Sequence, residues 1–354
     1  MNHSQPNVLF NEHEIIACAQ ALPLNDAMAG DGFERIDTFS AQLRELFRCK
    51  NPSLAPGTAS FEQLWAEFAA QNDRPECGNW VRLPWLSKWV RILEEPDFLE
   101  VLRSRNKNKI RSDEQRRLAQ HTILVIGLSV GQTAAITLAM EGVGGCLRLA
   151  DFDSLDLSNL NRLRSGVHEI GLLKSRLSAR RITELNPYQR VELCEEGARP
   201  DNLPELLAGV DVLIEECDSL PIKICARLEA RSRKIPVVMD TSDRGMIDIE
   251  RFDQEPDRPL FHGSAGEIDA QTLEGLNARN GMDLMKRIVE FDKTSERMRE
   301  SFSLLGSELI SWPQLASEVT SGGAFAVQAT RRILLGQKMD SGRYYLELAG
   351  EDRL

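Results

Sequence analysis

Apolar positions recur every three to four places through much of the first hundred residues. The spacing predicts helices in "NEHEIIACAQAL" (11–22), "FERIDTFSAQLRELFR" (33–48) and "FEQLWAEFAAQ" (61–71), with Phe39, Leu43 and Phe47 four apart. "NPSLAPGT" (51–58) and "NDRPECGN" (72–79) are turn-rich breaks. Trp65, Trp80, Trp85 and Trp89 crowd into this part and read as core. The pattern predicts a helical N-terminal domain over residues 1–100. A basic, polar connector follows over 101–120 ("SRNKNKIRSDEQRRL", 104–118), read as a solvated helix or linker.

From residue 121 onward the period changes. "TILVIG" is a continuous apolar run, the signature of a parallel strand buried on both faces. "GQTAAITLAMEG" reads as a helix of small and apolar residues, ended by "GVGG" (142–145). "CLRLAD" is a second strand, so Thr122 to Asp151 has the length of one strand–helix–strand unit. A helix over 174–186 and strands at 190–196, 211–217, 236–240 and 246–252 continue the alternation, with a helix at 221–234. Residues 267–338 read as mostly helical. Such alternation implies an α/β fold: a doubly wound, mostly parallel sheet in a second domain, 121–354, with the helical N-terminal domain added.

Bulk properties narrow the class. The chain has 354 residues and a net charge of −11, which argues against a general nucleic-acid binder. It has no apolar run of about 18 residues, the length a membrane span needs. Its first residues have no basic start followed by an apolar core. These observations predict a cytoplasmic protein with no nucleic-acid or membrane partner. Seven cysteines without a CxxC pair suggest reduced, mostly buried thiols.

The chemistry begins at "VIGLSVGQTAA" (125–135). A strand ends in Gly127, and a helix starts near Gly131. Amides at a helix N-terminus bind phosphate readily. Ser129 stands where a dinucleotide fingerprint would have its middle glycine, and it could donate to a phosphate or cap the helix. Asp151, 24 residues after Gly127, ends the second strand, where a carboxylate can accept from ribose hydroxyls. Either NAD or ATP would suit these residues.

"DFDSLDLSNLNRL" (151–163) discriminates. A dehydrogenase has no evident use for Asn159, Asn161 and Arg162 just past the second strand. A nucleotide triphosphate needs its charge offset, and arginine offers a two-pronged donor for phosphate oxygens. The pattern D-x-D-x-(V/L)-x-x-S-N-L-N-R resembles the signature of the ThiF/MoeB/HesA superfamily of ATP-dependent adenylating enzymes, relatives of the ubiquitin-activating enzymes. "EIGLLK" ending at Lys174, "ELNPYQRVEL" (184–193), "DVLIEECDS" (211–219) and "GGAFAVQATRRILLG" (322–336) resemble further segments of it in order. The resemblance implies a Rossmann-like fold, ATP and Mg²⁺. It also implies a carboxylate substrate, such as the C-terminus of a small protein or peptide, converted to an acyl adenylate. It implies that Gly127, Ser129, Gly131, Asp151, Asp153, Asn159, Arg162 and Lys174 contact the nucleotide, with Asp151 on the ribose and Asn159 and Arg162 on the phosphates. Lys174 would face the charge developing at the α-phosphate, Asp218 would hold Mg²⁺, and Arg162, Lys174 and Asp218 would be catalytic. It implies a homodimer as well. Each residue also has a structural reading: Arg162 as a surface ion-pair partner, Lys174 as a solvated helix residue, Asp218 as a helix N-cap.

Departures from the family pattern narrow the expectation. The glycine loop is one residue short. Residues 241–266 contain no cysteine, and Cys225 sits in an apolar stripe with Leu228, so no cysteine thioester step is expected. "SRNKNKI" stands where relatives carry an arginine-bearing segment; Arg105, Lys107 or Lys109 could supply that charge. "NWVRLPWLSKWV", "RNKNKI" and "GLSVG" together resemble a bacterial subgroup that carries a flavin nitroreductase-like domain, which would then be a further domain or partner. Two other functions stay open at this point: a non-catalytic nucleotide-binding relative acting as regulator or scaffold, and an NAD-dependent dehydrogenase.

Overall fold

The computed structural model describes residues 7–21, 31–266, 268, 275–276 and 278–346. The expected helices at 11–22 and 267–338 fall partly outside them. The chain divides into two units, one containing Glu114–Ile182 and Gln189–Leu354 with a short N-terminal stretch, the other containing Asn11–Asp113 and Thr183–Tyr188. Its strands, in chain order, are β1 (Val8–Leu9), β2 (Glu14–Ala17), β3 (Glu34–Asp37), β4 (Asn79–Leu83), β5 (Lys88–Ile92), β6 (Thr122–Ile126), β7 (Cys146–Ala150), β8 (Arg190–Cys194), β9 (Val212–Glu215), β10 (Val237–Asp240), β11 (Met246–Glu250) and β12 (Gly342–Tyr345).

The larger unit is built on an eight-stranded sheet ordered β1-β8-β7-β6-β9-β10-β11-β12. Strands β8, β7, β6, β9 and β10 run parallel, while β1, β11 and β12 add antiparallel margins. Their apolar runs are fully buried: Ile123, Leu124, Val125, Leu213 and Ile214 have no exposed surface. Helix Gly131–Glu141 follows β6 directly, and helix Leu220–Ser232 follows β9 after a short turn. The chain winds outward in opposite directions from β6 and β9, which lie side by side. That is the switch point of a doubly wound sheet, where ligands bind beyond the carboxyl ends of the strands. The expected α/β fold of this region is observed.

The N-terminal unit differs from the expectation. It is not helical throughout but contains a four-stranded sheet ordered β2-β4-β5-β3, with helices Phe39–Lys50 and Ala59–Asn72 where helical spacing is strongest. "EIIA", inside the expected first helix, is β2 and pairs with β4. "NWVRL" and "KWVRI" form an antiparallel pair that buries Val81, Leu83 and Ile92 on one face and Trp89 on the other. Strands of four or five residues give too few repeats of a two-residue period to stand out. The tryptophans do not form one core: Trp65 joins the Phe39–Leu43–Leu46 group, Trp80 packs on Trp89, and Trp85 belongs to a third group.

Candidate active site

Gly127 makes the sharp turn that aims the loop. Its φ is +84°, and a Cβ there would meet the Glu216 carbonyl oxygen at 2.6 Å, so a side chain meets both strain and collision. At Gly131 a Cβ would come within 2.7 Å of Val125, so this glycine lets the helix lie close on the sheet. Asp151 braces the loop from the side: Leu128 N–H donates to its Oδ2 at 2.5 Å and Asp153 N–H to its Oδ1 at 2.7 Å. Burial pushes the Asp151 carboxyl up, and the two backbone donors and Lys174 act against that.

Arg162 connects three expected site residues. Its Nη2 donates to Ser129 Oγ at 2.9 Å and its Nη1 to Asn161 Oδ1 at 2.8 Å. Its Nε is buried and has no protein partner. Burial disfavours the guanidinium charge, and the nearby Asp218 carboxylate offsets part of that cost. Asn159 is buried and accepts Asp156 N–H at 3.0 Å on its Oδ1, which fixes the turn that presents Arg162. Lys174 is buried rather than solvated, and its Nζ donates to Asp153 Oδ2 at 2.9 Å. Asp218 is exposed, and the helix that follows is capped at Ser219 instead. Thus Ser129, Arg162 and Asp218 stand together at the switch point, while Asp151, Asp153 and Lys174 form a second group joined to the loop through Leu128. No group of three or more His, Cys, Asp or Glu among the described residues could hold a metal.

Sequence reasoning missed several neighbours. Gln132 is buried at the helix start, and its Oε1 accepts the Arg164 N–H at 2.8 Å. Glu216 and Asp240 are buried and adjacent, with Asp240 N–H donating to Glu216 Oε1 at 2.9 Å. Burial pushes Asp240 up to about 7, and burial together with the neighbouring Asp240 pushes Glu216 well above the usual carboxylate range. Cys217 was also overlooked. It lines a cavity beside Asp218, but burial pushes its thiol up, which keeps it protonated. Cys225 packs with Leu228 against the core, as its apolar stripe suggested. Behind the site, Arg227 has no exposed surface. It is bound by Glu215 and by Glu250, the latter at 2.6 Å, and lies 4.3 Å from the Phe261 ring centre. Burial alone would raise Glu215, yet Lys223 and Arg227 hold it at about 2.

The profile of the ThiF family matches residues 103–344, more than half of the chain. The chain belongs to the ThiF family. A Mycobacterium tuberculosis protein, MT1398, is 45% identical over 280 residues, 79% of this chain and 39% of that protein. The tRNA threonylcarbamoyladenosine dehydratase of Escherichia coli is 33% identical over 129 residues, 36% of this chain and 48% of the enzyme. The E. coli sulfur carrier protein ThiS adenylyltransferase is 33% identical over 130 residues, 36% of this chain and 51% of the enzyme. This ThiF chain therefore spans about two fifths to one half of the length of these relatives. A crystal structure of PaaA shares the fold, with a TM-score of 0.50 and 20% identity over 71% of this chain and 76% of that one. Among the described residues no helix is long and apolar enough to cross a membrane.

Proposed function

We propose that this ThiF domain uses ATP and Mg²⁺ to adenylate a carboxylate. The observation that carries the reading is Arg162, hydrogen-bonded to Ser129 of the glycine loop and within the electrostatic reach of Asp218, with a buried Nε that no protein group satisfies. A buried donor without an acceptor costs about 1–3 kcal/mol, so a phosphate oxygen is a fitting partner. In the reaction a carboxylate oxygen of the substrate attacks the α-phosphorus. A new C(=O)–O–P linkage forms, the bond to the β-phosphate oxygen breaks, and pyrophosphate leaves with that electron pair.

The protein's part is positioning and charge neutralisation. Gly127, Ser129 and Gly131 form the floor for the phosphates, with Asp153, Asn159 and the helix N-terminus beside it. Arg162 takes phosphate charge through Nε, and Asp151 takes the ribose. Lys174 turns from Asp153 toward the charge developing at the α-phosphate. The exposed carboxylate of Asp218 fits Mg²⁺, an ion commonly held by one or two carboxylates plus substrate phosphates. When bound, Mg²⁺ would neutralise charge on the leaving pyrophosphate. The loop after β10 offers no cysteine and burial pushes the Cys217 thiol up, which favours a reaction without a cysteine thioester at this site.

ATP–pyrophosphate exchange with a panel of carboxylic acids tests the reading. Exchange is expected with one class of acid, and Arg162→Ala or Asp218→Ala should each lower it by about a hundredfold or more. Near-normal exchange in both variants would refute these roles. MgATP binding without exchange on any acid would turn the reading toward a nucleotide-binding scaffold.

A further inference from the structure

A cavity of about 140 Å³ opens beside Asp218, with Val130 of the glycine loop also on its wall. Its size is close to the roughly 150 Å³ known to hold a benzene ring. Four of the chain's nine methionines converge on it: Met239, Met246, Met285 and Met298. Phe302 and Trp312 complete the far wall, stacked at a tilt with ring centres 4.4 Å apart. Methionine and aromatic side chains adapt to apolar ligands of uneven shape.

Asp218, Glu216 and Asp240 line the wall at the ends of β9 and β10, and Lys223, Lys293 and Gln314 add further polar groups to the lining. The opposite wall is braced. Asp243 accepts Ser295 N–H at 2.9 Å and Ser295 Oγ–H at 2.6 Å, and Arg244 donates to the Lys293 carbonyl at 2.6 Å. These bonds tie the loop after β10 to the segment that carries Met298 and Phe302.

We propose that this cavity is an acyl pocket: the carboxylate that the protein accepts carries one aromatic ring, or a side chain of similar bulk, which seats among the methionines and aromatic rings while the carboxylate points toward the glycine loop at Val130. The proposal rests on the adenylation reading for the role of the carboxylate and adds the chemistry of the group attached to it. A free aryl acid and a peptide ending in a bulky apolar residue share this chemistry.

Binding to the whole chain, with and without MgATP, tests it. The probes are 3-phenylpropanoate, a short peptide ending in phenylalanine, the same peptide ending in glycine, and acetate. Saturation-transfer NMR reads the ligands, and calorimetry reads MgATP. One or both ring-bearing acids should bind at least about tenfold more tightly than their ring-free counterparts. Which of the two does so separates the free acid from the peptide end. Met298→Trp should fill the pocket and weaken ring binding by about tenfold or more, with MgATP binding unchanged. Met285→Trp, from a different helix, serves if the first variant does not fold. Acetate and the glycine-ended peptide binding as well as the ring-bearing probes would overturn the proposal. So would ring binding that both tryptophan variants leave intact. Absence of MgATP binding would instead refute the nucleotide reading, and ring binding measured without nucleotide still decides the pocket.

Discussion

The proposed nucleotide floor and the cavity beside it are built in opposite ways. The floor comes from two neighbouring loops, residues 127–131 and 151–162, and its shape is set by backbone: a positive φ at Gly127, and amide donors caught by Asp151 and Asn159. The cavity draws on segments from residue 130 to residue 345, and its shape is set by side chains. Backbone-built sites tolerate few residue types at each position, whereas side-chain-built sites tolerate many. The first kind therefore leaves a motif in a sequence, and the second leaves only composition.

The largest expected disruption is on the cavity side. Arg227→Ala removes the cation from between Glu215 and Glu250 and strands buried carboxylates. Breaking such a buried arrangement costs about 3–5 kcal/mol. Chemical denaturation should show that loss; a change below about 1 kcal/mol would mean that the carboxylates are neutral or reach water. Next comes Gly127→Ala on the floor, where strain at a left-handed position costs about 1–3 kcal/mol. Stability should fall by that amount, and calorimetry should show MgATP affinity falling with it. Retained affinity would show that the loop does not act as the floor.

A pH dependence sharpens the contrast. Asp240 titrates near 7 in the folded chain against about 3.8 when unfolded. Between those values the folded state binds the extra proton, so this group's stabilising contribution declines as pH rises from about 4 to about 7. The slope from one group is at most about 1.4 kcal/mol per pH unit. Glu216, Lys223 and Glu318 act on the same region and remain in the variant. Asp240→Asn should flatten the measured profile of stability against pH over this range. Parallel profiles would place the proton elsewhere.

How much was legible follows the same division. The parallel strands announced themselves because burial on both faces favours apolar runs such as "ILVI" and "VLI". Residues 151–162 carried the family resemblance because a fixed turn must present Asn159 and Arg162. The small N-terminal sheet was hidden because "EIIA" and "ERID" are four residues long and each runs directly into a helix or a residue short of one. The pairing of Lys174 with Asp153 could have been suspected only from their opposite charges. Gln132, Glu216 and Cys217 lacked any local signal, since their importance comes from strands adjacent in space and distant in sequence. The buried Arg227 and Lys223 were hidden in a helix whose remaining charges, Glu229 and Arg231, are partly exposed.

Asp151 has a consequence best seen by counting lone pairs. An ionised carboxylate offers about four acceptor sites. Leu128 takes one on Oδ2 and Asp153 takes one on Oδ1. One site is then left on each oxygen, side by side. Under the proposed function that remainder equals the two adjacent hydroxyls of a ribose, so a single side chain would both hold the loop shut and tell ribose from deoxyribose.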